Sequence, residues 1–410
     1  SLFRTRWRPN IGLMSKRART SRSKDVVQIE ALEFAPKKDL PINVIGTDGR
    51  KYIVDEYVTT SEEEEEEEGG YRQFNEEYFG RLFEHEKMLA DKKRMNFYYN
   101  LIQDNVPRGA TVLDVGTGTG VLAAWASKKV GEEGTVYAID HSDKCLAMAA
   151  TLAQANACKN IQFFQCHSSQ FKSPDTKNPG VDVILHEQIG DVLFDEDMVR
   201  TIAGLRDRCL RPGGLILPAY FRLHIEPVEL DTVRHVPMIP GLQNAPQTHG
   251  LDFSCLIQNH LKSQNDDPNY HHFRSSDASL VKKLLSSPAL GLPGLDVNLF
   301  EDSEETLGKE YRDKRVVREH SDFRFDAFCV WFTVREQNGS ERSTSSDGDL
   351  HNGPFADRAP HWGFRLLRVK GATMSMGDVL EFVVRIGDQE SWQDLNQWRW
   401  EWNVIPNRTE

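Results

Sequence analysis

No apolar run in the sequence approaches the roughly 18 residues a membrane-spanning helix requires, and the chain is therefore expected to work without a membrane. Paired cysteines are missing as well. Cys145, Cys158, Cys166, Cys209, Cys255 and Cys329 form no C-x-x-C pair, and no histidine cluster accompanies them. That disfavours a zinc site or a disulfide framework, so no metal is expected, and a reducing compartment, cytoplasmic or nuclear, is. An excess of positive charge is also lacking: 62 acidic side chains outnumber 50 basic ones, for a formal net charge of −12. Polyanion binding wants a basic face, so direct contact with nucleic acid is not expected. A cationic protein substrate suits this charge better, because opposite charge speeds encounter.

What is present changes texture along the chain. Residues 1–24 carry eight Lys and Arg and no acid, a composition that cannot bury a core. This segment is open to three readings: a nuclear-localisation patch around Lys16–Arg19, a transit peptide, or a solvated tail with no address. Met14 opens "MSKRART", and a chain start there is a further alternative. Residues 29–58 suggest short strands with a turn at Thr47–Arg50. Glu62–Glu68 is a run of seven like charges followed by Gly69 and Gly70, which reads as a linker. Residues 1–70 are thus expected to be a disordered or variable extension.

From residue 71 to 218 short apolar runs ("ATVLDVG", "GTVYAID", "IQFFQCH", "VDVILHE") alternate with helical segments ("MLADKKRMNFYYNLIQ", "GVLAAWASKKV", "SDKCLAMAATLAQAN"). That alternation predicts a parallel α/β sheet of Rossmann-like type, with Ser142 as a helix N-cap. From 219 to 410 strand-like runs dominate, and Trp398, Trp400 and Trp402 alternate with charged residues as in a half-buried strand. These tryptophans are read as core of a β-rich second domain. Residues 337–358 are Gly-, Ser- and Asp-rich and read as a surface loop.

The first chemical signal is "VLDVGTGTGVL". Gly116, Gly118 and Gly120 let the chain turn at a strand end and let a ligand approach the backbone N–H groups. Asp140 closes the next strand, where a carboxylate can accept both hydroxyls of a ribose. Nicotinamide dinucleotides and S-adenosylmethionine are both held this way. Asp114, just before the glycines, can meet a cofactor's ammonium group, and the spacing is not G-x-G-x-x-G; both features favour S-adenosylmethionine as the cofactor.

The second signal is "VDVILHEQIGDVLFDEDM". Glu187 and Glu196 stand nine residues apart, at a strand end and in the loop beyond it. Two partly buried carboxylates are costly unless a cation neutralises them. A guanidinium fits, being planar, permanently charged and open to paired bonds. The competing reading is an acidic, solvent-facing loop, since Asp191, Asp195 and Asp197 lie close by.

On these residues the chain resembles the protein arginine methyltransferases, over about residues 75–405. "HEKMLADKKR" is similar to the family's N-terminal helix, and the resemblance implies His85 and Met88 over the active site and Arg94 on the cofactor carboxylate. It implies Asp140 at the ribose, Ser168 and Ser169 beside the adenine, and Met198 on the cofactor side. Glu187 and Glu196 match the double-glutamate loop, and "PHW" matches the family's Thr-His-Trp loop, placing His361 beside it. "LRPGGLILP" is similar to the link into a β-barrel domain, and the segment at about 230–250 to a helical dimerisation arm. The implied fold is an α/β Rossmann-like S-adenosylmethionine-binding domain followed by that barrel. The implied partners are Arg/Gly-rich protein substrates and a second copy of the chain. The chain departs from the family at Tyr78 and Phe79, which stand closer to His85 than usual, and at Pro360, which replaces a Thr. It departs also in "EQIGDVLFDE", which replaces the usual "EWMGY…E". These changes leave mono- and dimethylation both open. Two other readings stand beside an active enzyme: a regulatory subunit of a catalytic paralogue, and a methyltransferase acting on another protein acceptor.

Overall fold

The computed structural model describes residues 82–231, 272–286, 293–335, 350–386 and 398–407, apart from 304, 308–309 and 319–321, together with four short strands at 42–45, 51–54, 247–248 and 251–252. The basic tail, the glutamate run, Tyr78 and Phe79, almost all of the expected dimerisation arm, and residues 337–349 lie outside the described residues.

Strands β1 (Ile42–Ile45) and β2 (Lys51–Val54) pair antiparallel; the turn expected between them at Thr47–Arg50 lies outside the described residues. Helix α1 (Leu82–Ala90) follows, then α2 (Lys92–Asn105). One continuous helix was expected here. The chain breaks instead at Asp91, whose backbone is extended and whose carboxylate accepts the Arg94 backbone N–H at 3.1 Å. Aspartate competes for nearby backbone N–H groups and so caps a helix better than it continues one.

A parallel sheet follows, in the order β5–β4–β3–β6–β7, built from β3 (Thr111–Val115), β4 (Thr135–Asp140), β5 (Ile161–Gln165), β6 (Val181–His186) and β7 (Leu210–Leu217). Its central strands are buried along nearly their whole length, which is why they read as continuous apolar runs. Helices α3 (Val121–Val130), α4 (Asp143–Ala155) and α5 (Met198–Cys209) connect them. Ser142 caps α4 through the Cys145 N–H, as expected. The strand order reverses beside β3, so the loops after β3, β4 and β6 meet at one sheet end, the usual place for a ligand in such sheets.

The segment "LRPGGLILP" belongs mostly to β7 rather than to a link. The chain leaves the parallel sheet at Leu217, crosses Pro218 and Ala219, and enters β8 (Tyr220–Leu230). Short strands β9 (Gln247–Thr248) and β10 (Leu251–Asp252) pair with each other. The larger antiparallel sheet has the order β11–β16–β15–β8–β12, with β13 also pairing β8; its members are β11 (His272–Ser275), β12 (Val281–Leu284), β13 (Leu295–Asn298), β15 (Phe323–Val334) and β16 (Phe364–Met374). The smaller runs β14 (Glu310–Val316), β17 (Val379–Arg385) and β18 (Arg399–Ile405). The two meet through aromatic side chains, with the Phe328 ring 5.0 Å from Phe382 and 5.2 Å from Trp400. Trp398 and Trp400 are buried, as the alternation predicted.

Residues 350–354 are not the surface loop expected. Leu350 and Asn352 are fully buried, and Thr333 bridges to His351. Among the described residues no helix is long and apolar enough to cross a membrane.

Candidate active site

The loop after β3 holds Gly116, Gly118 and Gly120 at φ of +67°, +54° and +78°, a region that side-chain-bearing residues avoid. At Gly120 no other residue fits, because an added Cβ would lie 2.7 Å from the Ala149 Cβ and 2.8 Å from its Cα. At Gly116 the same position is open space. That leaves one face of the loop free for a ligand to approach its backbone.

Asp140 ends β4, and its two oxygens accept the N–H groups of Gly118 and Ser142, both at 2.9 Å. Each carboxylate oxygen keeps a second lone pair for a hydroxyl. The adjacent His141 Nε2 is buried without a hydrogen-bond partner among the described residues. Asp114 lies beneath the loop, accepts the Thr117 hydroxyl at 2.6 Å, and is pushed up to about 7 by its burial, against the Thr117 and Ala123 hydrogen bonds. His85, on α1, is buried against the glycine loop, with its ring 3.1 Å from where a Gly118 Cβ would be. The ring thus stands against Gly118. Met88 is half-buried on the same helix, and Met198 is fully buried in the core at the start of α5. Ser168 and Ser169 sit in a 3-10 turn after β5, where the Ser169 hydroxyl meets His167 Nδ1 at 2.8 Å. An open glycine face, an acid at the next strand end and a nearby arginine together fit a nucleoside carrying an amino-acid tail.

Arg94 extends from the first turn of α2 to Glu187. Its Nε donates to Oε1 and its Nη2 pairs with Oε2, both at 3.2 Å, while Nη1 donates to the Met88 carbonyl at 3.3 Å. Only 6% of the Arg94 side chain and 15% of Glu187 are exposed, so this pair is little weakened by solvent. The cation also stands 5.7 Å from the Tyr98 ring centre. Tyr98 is fully buried and its hydroxyl has no hydrogen-bond partner among the described residues. Burial, and then the Glu187 charge, raise its pKa well above the usual value.

Glu187 follows β6 directly, and Glu196 lies at the far end of the loop that leads to α5. Burial pushes the Glu196 carboxyl well above the usual range, and Glu187, Asp195 and Asp191 push it the same way. The loop between is folded tightly. Asp195 accepts the N–H groups of Asp191 and Val192, each at 3.1 Å, and burial pushes it up to about 6. An added Cβ at Gly190 would strike the Asp195 carboxylate.

His361 comes from the other half of the molecule. Its Nδ1 and its backbone N–H both lie 3.3 Å from Asp91 Oδ2. Asp91 is 1% exposed. Burial raises its pKa, but the bonds from His361 and the Arg94 N–H outweigh that and leave it lowered. Asp91 thus caps α2 and orients His361 together, a role the sequence analysis did not assign. The signal was available as an aspartate interrupting a helical run three residues before Arg94. The Trp362 Nε1 donates to the Ile189 carbonyl at 2.6 Å, which fastens this loop to the one between Glu187 and Glu196.

The structure therefore gathers Arg94, Glu187 and Glu196 on one side, with His361 reached through Asp91, and the glycine loop, Asp140 and His85 on the other. A parallel sheet with this loop chemistry, joined to an antiparallel β domain, defines a class of methyltransferase. Residues 107–263 match the family model described as a methyltransferase domain. The chain is 32% identical over 294 residues to protein arginine N-methyltransferase PRMT10 of Arabidopsis thaliana, covering 69% of this chain and 74% of that protein. It is 28% identical over 273 residues to protein arginine N-methyltransferase 2 of Dictyostelium discoideum, covering 64% of this chain but only 49% of that protein, about half its length. A solved structure described as a Trypanosoma brucei PRMT1 enzyme-prozyme heterotetrameric complex with AdoHcy shares the fold, with a TM-score of 0.59 at 19% identity over 80% of this chain and 98% of that one. The chain belongs to the protein arginine N-methyltransferase family, a class that uses S-adenosylmethionine.

Proposed function

We propose that this protein transfers a methyl group to a guanidinium nitrogen of arginine in Arg/Gly-rich protein substrates. The observation that carries the proposal is the two-bonded grip of Glu187 on a guanidinium, that of Arg94, beside a second acid, Glu196, for which the described residues supply no hydrogen bond or ion pair. S-adenosylmethionine, when bound, supplies an electrophilic methyl on a sulfonium. Asp140 would hold the nucleoside over the open face of the glycine loop at Gly116, and Arg94 would meet the carboxylate of its amino-acid tail. Glu187, released from Arg94, then binds the acceptor guanidinium together with Glu196, fixing its plane and aiming one nitrogen. Alignment of this kind supplies much of the rate of a displacement. His361, with Nδ1 engaged by Asp91, leaves Nε2 to accept the proton that departs after transfer.

The reaction is tested by mass spectrometry of an Arg-Gly-repeat peptide incubated with the protein and S-adenosylmethionine. Methylation in multiples of one methyl group supports the proposal, and the fragment pattern distinguishes mono- from dimethylarginine. Donor binding without transfer, relieved only by a second chain, identifies a regulatory subunit instead. Pairing with a second copy through residues 232–248 is part of the same proposal. A deletion of that segment that leaves the sedimentation mass unchanged removes it.

A further inference from the structure

Asp191 stands inside the acceptor loop, four residues after Glu187 and five before Glu196, and differs from its acidic neighbours in what it touches. Its Oδ1 accepts the Gly363 N–H at 2.9 Å, and its Oδ2 meets Arg274 Nε at 2.6 Å and Arg365 Nη2 at 3.1 Å. All three partners belong to the antiparallel β domain. Arg274 then donates from Nη2 to the His361 carbonyl at 2.9 Å. The Asp191 main-chain carbonyl accepts Asn352 Nδ2 at 2.8 Å, and the same amide donates to the Gly363 carbonyl at 2.6 Å. The carboxylate is buried, with only 10% of the side chain exposed.

We propose that Asp191 is a positioning residue that sets the Glu187–Glu196 loop against the His361 loop, with Arg274 and Arg365 as its counter-charges; the inference rests on the arginine-acceptor reading above. The loop has no regular secondary structure of its own to fix the separation of its two glutamates. Asp195 closes the turn from within, and Asp191 ties it from outside. Of these two acids it is Asp191 that also reaches, through Arg274, the backbone that carries His361, beside the direct Trp362–Ile189 bond. Two guanidinium groups already pair with the Asp191 carboxylate, which directs it to the β domain rather than to an incoming arginine. A buried carboxylate with two cations and an amide donor is held in one geometry. Removing its charge leaves both cations unpaired beside the loop.

The test compares the full chain with Asp191→Asn. A displacement of about 1 Å at reacting groups costs on the order of 100-fold in rate, so kcat/KM for an Arg-Gly peptide is expected to fall about 10- to 100-fold. The Kd for S-adenosylhomocysteine, read by calorimetry, is expected to stay within about twofold, since Asp191 touches no part of the glycine loop. Hydrogen exchange across 188–197 is expected to accelerate. Arg274→Gln with Arg365→Gln provides the same test with the acid intact, should Asp191→Asn fail to fold. Combining all three substitutions removes the unpaired charges and is expected to recover part of the thermal stability but not the peptide kinetics. Unchanged kcat/KM in both variants overturns the proposal, as does an equal loss of donor affinity, which marks a general folding defect. Absence of transfer by the unaltered protein counts against the arginine-acceptor reading itself. The exchange data still decide whether Asp191 holds the loop.

Discussion

Acceptor binding is expected to release a proton, and the structure gives the sign. Burial, then Glu187, Asp195 and Asp191, push the Glu196 carboxyl well above the usual carboxylate range. The site before arginine binding therefore shifts Glu196 toward its protonated form. A guanidinium arriving at about 4 Å contributes roughly 4 kcal/mol of attraction at an effective dielectric of about 20, and it attracts only the ionised acid. Binding thus drives ionisation and expels about one proton per acceptor. With donor saturating, kcat/KM for the peptide should climb with a slope of about one per pH unit below the Glu196 pKa and level off above it. The assay is steady-state kinetics from about pH 6 to about pH 9, joined to calorimetry in two buffers of different ionisation heat. The same group acts on stability in the opposite sense. Its folded-state pKa lies above its unfolded one, so the native state holds the proton longer, and stability falls as pH rises from the ordinary carboxylate range through the raised value. Glu196→Gln should therefore raise the thermal midpoint at neutral pH while abolishing transfer. A flat pH profile with no buffer-dependent heat refutes the reasoning.

Three further outcomes are expected. Asp91→Asn should retain the α2 cap and the thermal midpoint but lose activity through His361, whereas Asp91→Ala should also lose about 1 kcal/mol of stability; equal midpoints for the two in thermal denaturation would contradict the capping role. Gly116→Ala meets only open space and should cost about 1–2 kcal/mol of backbone strain with weakened donor binding. Gly120→Ala meets Ala149 and should add an overpacking cost of roughly 1–3 kcal/mol, so chemical denaturation should rank Gly120→Ala below Gly116→Ala. Tyr98→Phe removes a buried hydroxyl that has no partner among the described residues, and should be neutral or stabilising with transfer unchanged; a fall in activity would show that the hydroxyl finds a partner during the reaction.

The parallel sheet was legible because its buried strands are apolar runs punctuated by glycine, and β18 because its tryptophans alternate. Local chemistry is short-range, and so is pattern. The pairing of Arg94 with Glu187 joins residues 93 apart, and no spacing rule reaches that far. For the same reason Asp191 and Asp195 read as interchangeable members of an acidic loop, although one faces Arg274 and the other faces its own turn. The break at Asp91 was missed for a different reason. Its flanks carry good helix formers, and a single capping residue is weak against a long helical periodicity until a bond partner such as His361 is known. Asn352 was hidden by composition, since a Gly- and Ser-rich stretch does not announce that its last residues turn inward.

The carboxylate of Asp91 answers to two halves of the molecule, holding the first turn of α2 with one oxygen and His361 with the other. That first turn carries Arg94. Lifting the His361 loop away would strip the carboxylate of its two β-domain donors and return its charge to the start of the helix, next to the arginine expected to face the donor's tail. The charge facing the start of α2 therefore depends on whether the His361 loop is seated, through a single side chain.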